Sequence, residues 1–148
     1  MTEQIYYEDV VVGNELPALV KHPTPRQLIK WAGASGDFYE IHYNKEFAQS
    51  KGLPNIIIQG DLTASFLAQL VTDWMGEWGT IKKLSTSNRG MLFPHEDVIC
   101  QGKVNKKYIE NNEHYVECEV WAENSQGEKC TVGIVSITIP SRGSEATS

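Results

Sequence analysis

The feature that most restricts the fold is a long segment, residues 61–75, whose apolar side chains leave almost no continuous polar face. A helix that is apolar nearly all round has to be surrounded by protein. Asp61 suits the positive end of the helix dipole, and Gly76 is a typical C-terminal stop. The sequence therefore predicts a central, buried helix.

After this helix the hydrophobic pattern changes to a period of two, as in half-buried strands. The sequence predicts an antiparallel meander of four strands, at residues 81–92, 98–109, 114–123 and 129–139. Long strands together with one buried helix fit an α+β fold in which the sheet curls around the helix, the hot-dog arrangement. An isolated sheet of this kind leaves an edge open, so we expect two subunits to associate.

Two shorter helices are predicted before the central one. Thr24 is a good N-cap, Pro25 suits the first turn, and Gln27 completes a capping box. Glycines within residues 33–36 are expected to end this helix, and residues 45–50 form the next one.

Length and charge limit the possible functions. The 148 residues suit one domain, which we place at residues 1–140, with a disordered tail at 141–148. A net charge of −6 argues against a nucleic-acid or membrane-surface role, since both need a basic face. We see no membrane span and no signal-peptide pattern, which indicates a cytoplasmic protein.

The cysteines predict no redox or metal chemistry. Their number is odd, they lie far apart, and no CxxC pattern occurs, so we expect buried reduced thiols at Cys100, Cys118 and Cys130.

Chemistry-bearing residues concentrate in the segment that follows the first helix. Asp37 and His42 are five residues apart, and a tight irregular loop could aim both side chains into one cleft. A carboxylate and an imidazole there could hold a water molecule and move its protons. The spacing alone equally allows Asp37 to be a helix cap and His42 an ordinary half-buried histidine.

Residues 32–48 resemble the hydratase motif of the MaoC-like, R-specific enoyl-CoA hydratase family. The motif pairs Gly-Asp with a histidine five residues later and an alanine six residues further on. Gly36, Asp37, His42 and Ala48 match it. Residues 58–63 and 89–97 are similar to later parts of the family pattern, so the resemblance extends over roughly residues 6–140.

Two departures distinguish this chain from the family pattern. Tyr39-Glu40 stands where the family usually has Asn-Pro, and Gln59 stands where a histidine is usual. These changes are compatible with a subfamily acting on a bulky acyl group, or with a subunit that works beside a different partner. Phe38, Tyr39, Phe66 and Trp74 are either acyl-pocket or core residues.

The resemblance implies a hydro-lyase that adds water to, or removes it from, a 2-enoyl/3-hydroxyacyl thioester of CoA or acyl carrier protein in lipid metabolism. It implies an acid/base pair at Asp37 and His42, and binding of the thioester oxygen by the Gly60 N–H. It implies no metal and no cofactor, and a homodimer or heterodimer of hot-dog subunits. Candidates for contacting the CoA phosphates are Lys82, Lys83, Arg89, Lys106 and Lys107.

Two other functions remain open at this point. One is a hot-dog acyl-CoA thioesterase, which uses a similar scaffold but hydrolyses the thioester. The other is a non-catalytic partner subunit of a heteromeric dehydratase.

Overall fold

One antiparallel sheet packs against one long helix in this computed structural model, which describes residues 3–143. The helices are α1 (Pro25–Ser35), α2 (Lys45–Ser50) and α3 (Gly60–Met75). The strands are β1 (Leu19–Lys21), β2 (Thr80–Asn88), β3 (Val98–Glu110), β4 (Glu113–Glu123) and β5 (Lys129–Thr138). Short 3₁₀ turns lie at Tyr7–Asp9 and Glu40–His42.

The order of strands differs in one respect from the predicted meander. Across the sheet the order is β1-β3-β4-β5-β2, so only β3, β4 and β5 follow one another as neighbours. β2 pairs antiparallel with β5 instead of β3. At this edge its half-buried Ile81 and Leu84 pack against the core, which accounts for the long-range pairing.

The first helix begins as predicted and ends slightly later than the glycines suggested. Thr24 Oγ1 accepts a hydrogen bond from the Gln27 N–H at 3.3 Å. The helix continues through Gly33 to Ser35 and ends at Gly36, whose φ of 80° lies in the left-handed region. This conformation suits glycine and turns the chain sharply into the Asp37 loop.

Within a single chain, helix α3 is buried on one face. Leu67, Leu70 and Val71 are almost fully buried in the core cluster. On the opposite face Asp61 and Thr72 are exposed, and three small or polar residues between them are half-buried, namely Ala64, Ser65 and Ala68. A single chain therefore leaves this face of the helix partly uncovered.

The three cysteines are free and buried, as predicted. Burial raises the pKa of the Cys100 and Cys118 thiols to about 12. Among residues 3–143, no helix is long and apolar enough to cross a membrane. Of the predicted tail, Ser141 and Arg142 contact Glu8, and residues 144–148 lie outside the described part of the chain.

Candidate active site

The loop between α1 and α2 brings Asp37 and His42 together. Asp37 Oδ2 lies 3.7 Å from His42 Nε2. The other carboxylate oxygen, Oδ1, accepts a hydrogen bond from the Tyr39 N–H at 3.3 Å, an Asx-turn contact that fixes the carboxylate. The Tyr43 hydroxyl donates to the Phe38 carbonyl at 2.7 Å and closes the loop.

The imidazole of His42 is held in one tautomer by the backbone. Nδ1 lies 2.8 Å from the Ile57 carbonyl oxygen, and because a carbonyl can only accept, Nδ1 carries the proton. In the neutral ring Nε2 is then a free acceptor, and it faces Asp37. The His42 side chain is only 9% exposed, against 40% for Asp37, so the pair joins a buried base to a carboxylate that solvent reaches.

The separation of the two groups has chemical consequences. At 3.7 Å, Nε2 and Oδ2 are too far apart for a direct hydrogen bond. Polar groups at such distances are commonly bridged by water. Both are acceptors when the imidazole is neutral, so one water molecule could donate one O–H to each of them.

A second histidine–aspartate pair provides a useful contrast. His22 Nδ1 lies 2.9 Å from Asp97 Oδ1, but both side chains are more than half exposed, at 56% and 57%. This pair contacts directly and leaves no space for a bridging molecule. The residues that line the cavity at His42 include neither His22 nor Asp97, and Asp97 lines a different cavity, so this second pair lies outside the space that His42 adjoins.

His42 and Gly60 line one cavity of about 210 Å³. Gly60 is the first residue of α3, where backbone N–H groups have no acceptor within the helix and the dipole is positive. The structure thus places all three predicted site residues around one region, with His42 and Gly60 in the cavity wall and Asp37 beside His42. The other lining residues are Ile57, Ile58, Thr63, Asn88, Gly90, Met91, Leu92 and Thr131.

Asn88 and Thr131, which the sequence did not single out, form part of this wall. The Thr131 hydroxyl lies 3.2 Å from Asn88 Oδ1. Asn88 Nδ2 lies only 2.4 Å from the position that a Cβ atom on Gly60 would take. A side chain at position 60 would therefore displace the Asn88 amide.

The residues that depart from the family pattern have structural partners. Gln59 is fully buried, and its Nε2 donates to the Leu28 carbonyl at 2.8 Å, which ties α3 to α1. The Tyr39 ring makes edge contacts with His42 and Phe47, at centroid distances of 6.2 and 5.9 Å. Tyr39 therefore adds an aromatic side to the loop that contains Asp37 and His42.

Of the four aromatic residues considered for an acyl pocket or the core, only Phe66 is buried in the core. Phe38 and Tyr39 are exposed at 61% and 51%. Trp74 lines a separate cavity of about 160 Å³ beside Leu19 and Leu70.

Most of the cations considered for phosphate binding are engaged elsewhere. Lys107 donates to two backbone carbonyls at the N-terminal turn. Lys82 pairs with Glu113, and Lys106 with Glu117. Arg89 directly follows Asn88, the last residue of β2, and its Nε donates to the hydroxyl of Ser87 in that strand. Arg89 is therefore the nearest of these cations, along the chain, to the cavity wall.

Comparison with known proteins gives a consistent result. The family model for the MaoC like domain matches residues 10–125. The beta subunit of 3-oxo-4,17-pregnadiene-20-carboxyl-CoA hydratase from Mycobacterium tuberculosis is 24% identical over 124 residues, which span 84% of this chain and 93% of that protein.

Solved structures show the same architecture. R-hydratase PhaJ1 from Pseudomonas aeruginosa has a TM-score of 0.85 at 20% identity, covering 95% of this chain and 89% of that one. The (R)-hydratase from A. caviae has a TM-score of 0.82 at 19% identity, covering 90% of this chain and 99% of that one. With the family model spanning most of its length, the chain belongs to the MaoC-like domain family and has the hot-dog fold that its sequence predicted.

Proposed function

We propose that this protein adds water to, or removes it from, a 2-enoyl/3-hydroxyacyl thioester of CoA or acyl carrier protein, with Asp37 and His42 as its acid/base pair. The observation that carries the proposal is the 3.7 Å approach of Oδ2 to Nε2, with Nδ1 held by the Ile57 carbonyl. The hydratase names of its relatives support the same reaction class.

In the hydration direction, a water molecule donates one O–H to Asp37 Oδ2 and the other to His42 Nε2. The lone pairs of its oxygen then face the substrate. As this oxygen bonds to the β-carbon, Nε2 takes the proton, and the imidazolium is stabilised by the neighbouring carboxylate. The same proton passes to the α-carbon, so the double bond is replaced by one C–O and one C–H bond and the enzyme returns unchanged.

Negative charge develops on the thioester oxygen while the α-carbon awaits its proton. We assign the Gly60 N–H to bind this oxygen, since it begins α3 and lines the same cavity as His42. A donor aimed at developing charge contributes about 3–4 kcal/mol to the transition state. The arrangement accounts for addition across a conjugated thioester and requires a substrate with that conjugation.

The test replaces each residue of the pair by asparagine. Asp37→Asn keeps Oδ1 for the Tyr39 N–H but removes an acceptor for water. His42→Asn keeps a donor for the Ile57 carbonyl but lacks Nε2. Each should lower hydration of a trans-2-enoyl-CoA by about 100-fold or more and leave the melting temperature nearly unchanged.

The exposed pair supplies matched controls, because His22→Asn and Asp97→Asn make the same chemical changes outside the cavity. Both control variants should retain wild-type rates. Loss of enoyl absorbance reports hydration, whereas release of free thiol would identify a thioesterase. Full hydratase activity in either site variant would remove the proposed roles.

The name of the M. tuberculosis relative, a beta subunit, favours a second candidate, a partner subunit in a heteromeric hydratase. β2 is an edge strand, and the outer face of α3 is only partly covered, so we propose that a second hot-dog subunit covers both. Light scattering on the purified chain separates the cases. An active dimer supports a self-sufficient enzyme, and an inactive protein activated by a second subunit supports the heteromer.

A further inference from the structure

A side-chain amide adjoins the cavity wall at the start of α3. Asn88 is the last residue of β2 and is paired in register with Thr131 of β5. Both residues line the cavity that contains His42 and Gly60. The mechanism proposed above assigns no role to either side chain.

The amide is oriented by a buried hydroxyl. Thr131 is only 2% exposed, and its Oγ1 lies 3.2 Å from Asn88 Oδ1. A hydroxyl donates readily to an amide oxygen. With Oδ1 bound to Thr131, the Nδ2 atom of Asn88 points away from Thr131. That nitrogen lies against Gly60, 2.4 Å from the point where a Cβ would be.

The distances allow Asn88 and Gly60 to bind one atom. The amide nitrogen and the Cβ position of one residue are about 2.5 Å apart, so Asn88 Nδ2 lies within about 5 Å of the Gly60 nitrogen. Two donors that each lie about 2.9 Å from a shared oxygen can be at most about 6 Å apart. The Asn88 amide and the Gly60 N–H satisfy this condition.

We propose that Asn88 is a substrate-binding residue whose side-chain N–H donates to the thioester carbonyl oxygen beside the Gly60 N–H, with Thr131 as its positioning residue. The inference rests on the proposed function and extends it, because it gives the oxygen a second donor. An enolate-like oxygen would then be held from two directions, by the first turn of α3 and by the end of β2.

Three substitutions separate donation from packing. Asn88→Ala removes the donor and should lower kcat for enoyl-CoA hydration about 100-fold. Asn88→Asp keeps the shape but places an anion beside the developing charge, so its loss should be larger still. Thr131→Val frees the amide to rotate and should cause a smaller loss. Ser85→Ala, on the same strand, is the control and should behave as wild type.

A spectroscopic measurement reports the contact without turnover. In a His42→Asn background, bound 4-dimethylaminocinnamoyl-CoA should show a red-shifted absorbance, since hydrogen bonds to the thioester oxygen polarise its conjugated system. Adding Asn88→Ala should reduce the shift, and adding Asn88→Asp should reduce it further. A purely structural asparagine would leave the shift unchanged in the uncharged alanine variant.

The outcomes distinguish this inference from the proposed function. Asn88→Ala with a wild-type kcat overturns the role of Asn88, even if the aspartate variant is impaired. If Asn88→Ala has a wild-type kcat while Asp37→Asn and His42→Asn are inactive, the acid/base proposal is retained and the role of Asn88 is rejected. If those two variants are active, the proposed function fails, and the spectral shift then decides whether Asn88 still contacts a bound thioester.

Discussion

Gly60→Ala tests the crowded contact at the start of α3 directly. The new methyl group would lie 2.4 Å from Asn88 Nδ2 and 3.2 Å from its Cγ. The first distance is far below van der Waals contact, so one group has to move. Asn88 is an exposed residue at the end of its strand, and its amide is the far end of a flexible side chain. We therefore expect the amide to swing away and the backbone to stay in place.

The expected change in stability is small because two effects oppose each other. Displacing the amide breaks its hydrogen bond to Thr131, a loss of about 1 kcal/mol. Replacing glycine by alanine reduces the conformational entropy of the unfolded chain, which gains about 0.4–1 kcal/mol. The free energy of unfolding should thus change by less than about 1 kcal/mol. Gly33→Ala in α1, which meets no atom within 4 Å, should simply stabilise the protein by about 0.5–1 kcal/mol.

The effect on activity should be large, because Gly60→Ala moves the proposed donor while keeping the backbone N–H. Its kcat should fall about as far as that of Asn88→Ala, roughly 100-fold. In the Asn88→Ala background there is no amide to displace, so Gly60→Ala should have almost no further effect.

The assay is a double-mutant cycle on enoyl-CoA hydration, with urea denaturation of the same four proteins. Equal losses from Gly60→Ala in both backgrounds would refute the reasoning, because the methyl group would then act on the backbone or the substrate itself. Gly33→Ala should retain wild-type kinetics throughout.

Three further predictions concern stability. Gly133→Ala would place a methyl group 2.6 Å from the Ser85 backbone oxygen, so urea denaturation should show a loss of about 1–3 kcal/mol. Thr24→Ala removes the cap of α1 and should cost about 1 kcal/mol in the same assay. Folding raises the thiol pKa values of Cys100 and Cys118 from 9.0 to about 12, so unfolded thiols ionise first and stability falls as pH rises above 9. The two together should lower the free energy of unfolding by about 2–3 kcal/mol between about pH 8 and about pH 10, and a double alanine variant should lack this component.

Local chemistry accounts for the parts of the fold that the sequence predicts well. Thr24 and Pro25 mark a helix start wherever the helix packs, and the apolar run at 61–75 requires burial whatever covers it. The alternation within β4 similarly identifies a strand without naming its neighbours. The motif placed Asp37 and His42 in one loop, and the structure brings their side chains within 3.7 Å.

Contacts between distant segments account for what the sequence does not show. The acceptor that fixes the His42 tautomer is a backbone carbonyl fifteen residues away, and any residue type supplies a carbonyl. The position of β2 beside β5 depends on pairing across some fifty residues. Neither this hydrogen bond nor this strand pairing leaves a signal in composition or periodicity, since packing in three dimensions selects the partners.

The placement of Asn88 in the cavity wall follows from one extra residue at the other end of its strand. In β2 the register shifts between Ile81 and Lys83, so Lys82 is the unpaired residue of a β-bulge. Ile81 and Leu84 both pack on the core although they are three residues apart, which a regular strand with its period of two forbids. Side chains two residues apart share a face of a strand, so Asn88, four residues after Leu84, lies on the inner face with it. Without the bulge, the inner face would follow from Ile81, and Ser87 would lie there instead. The bulge therefore decides which functional group the edge strand offers to the cavity, and pairing with β5 sets the bulge.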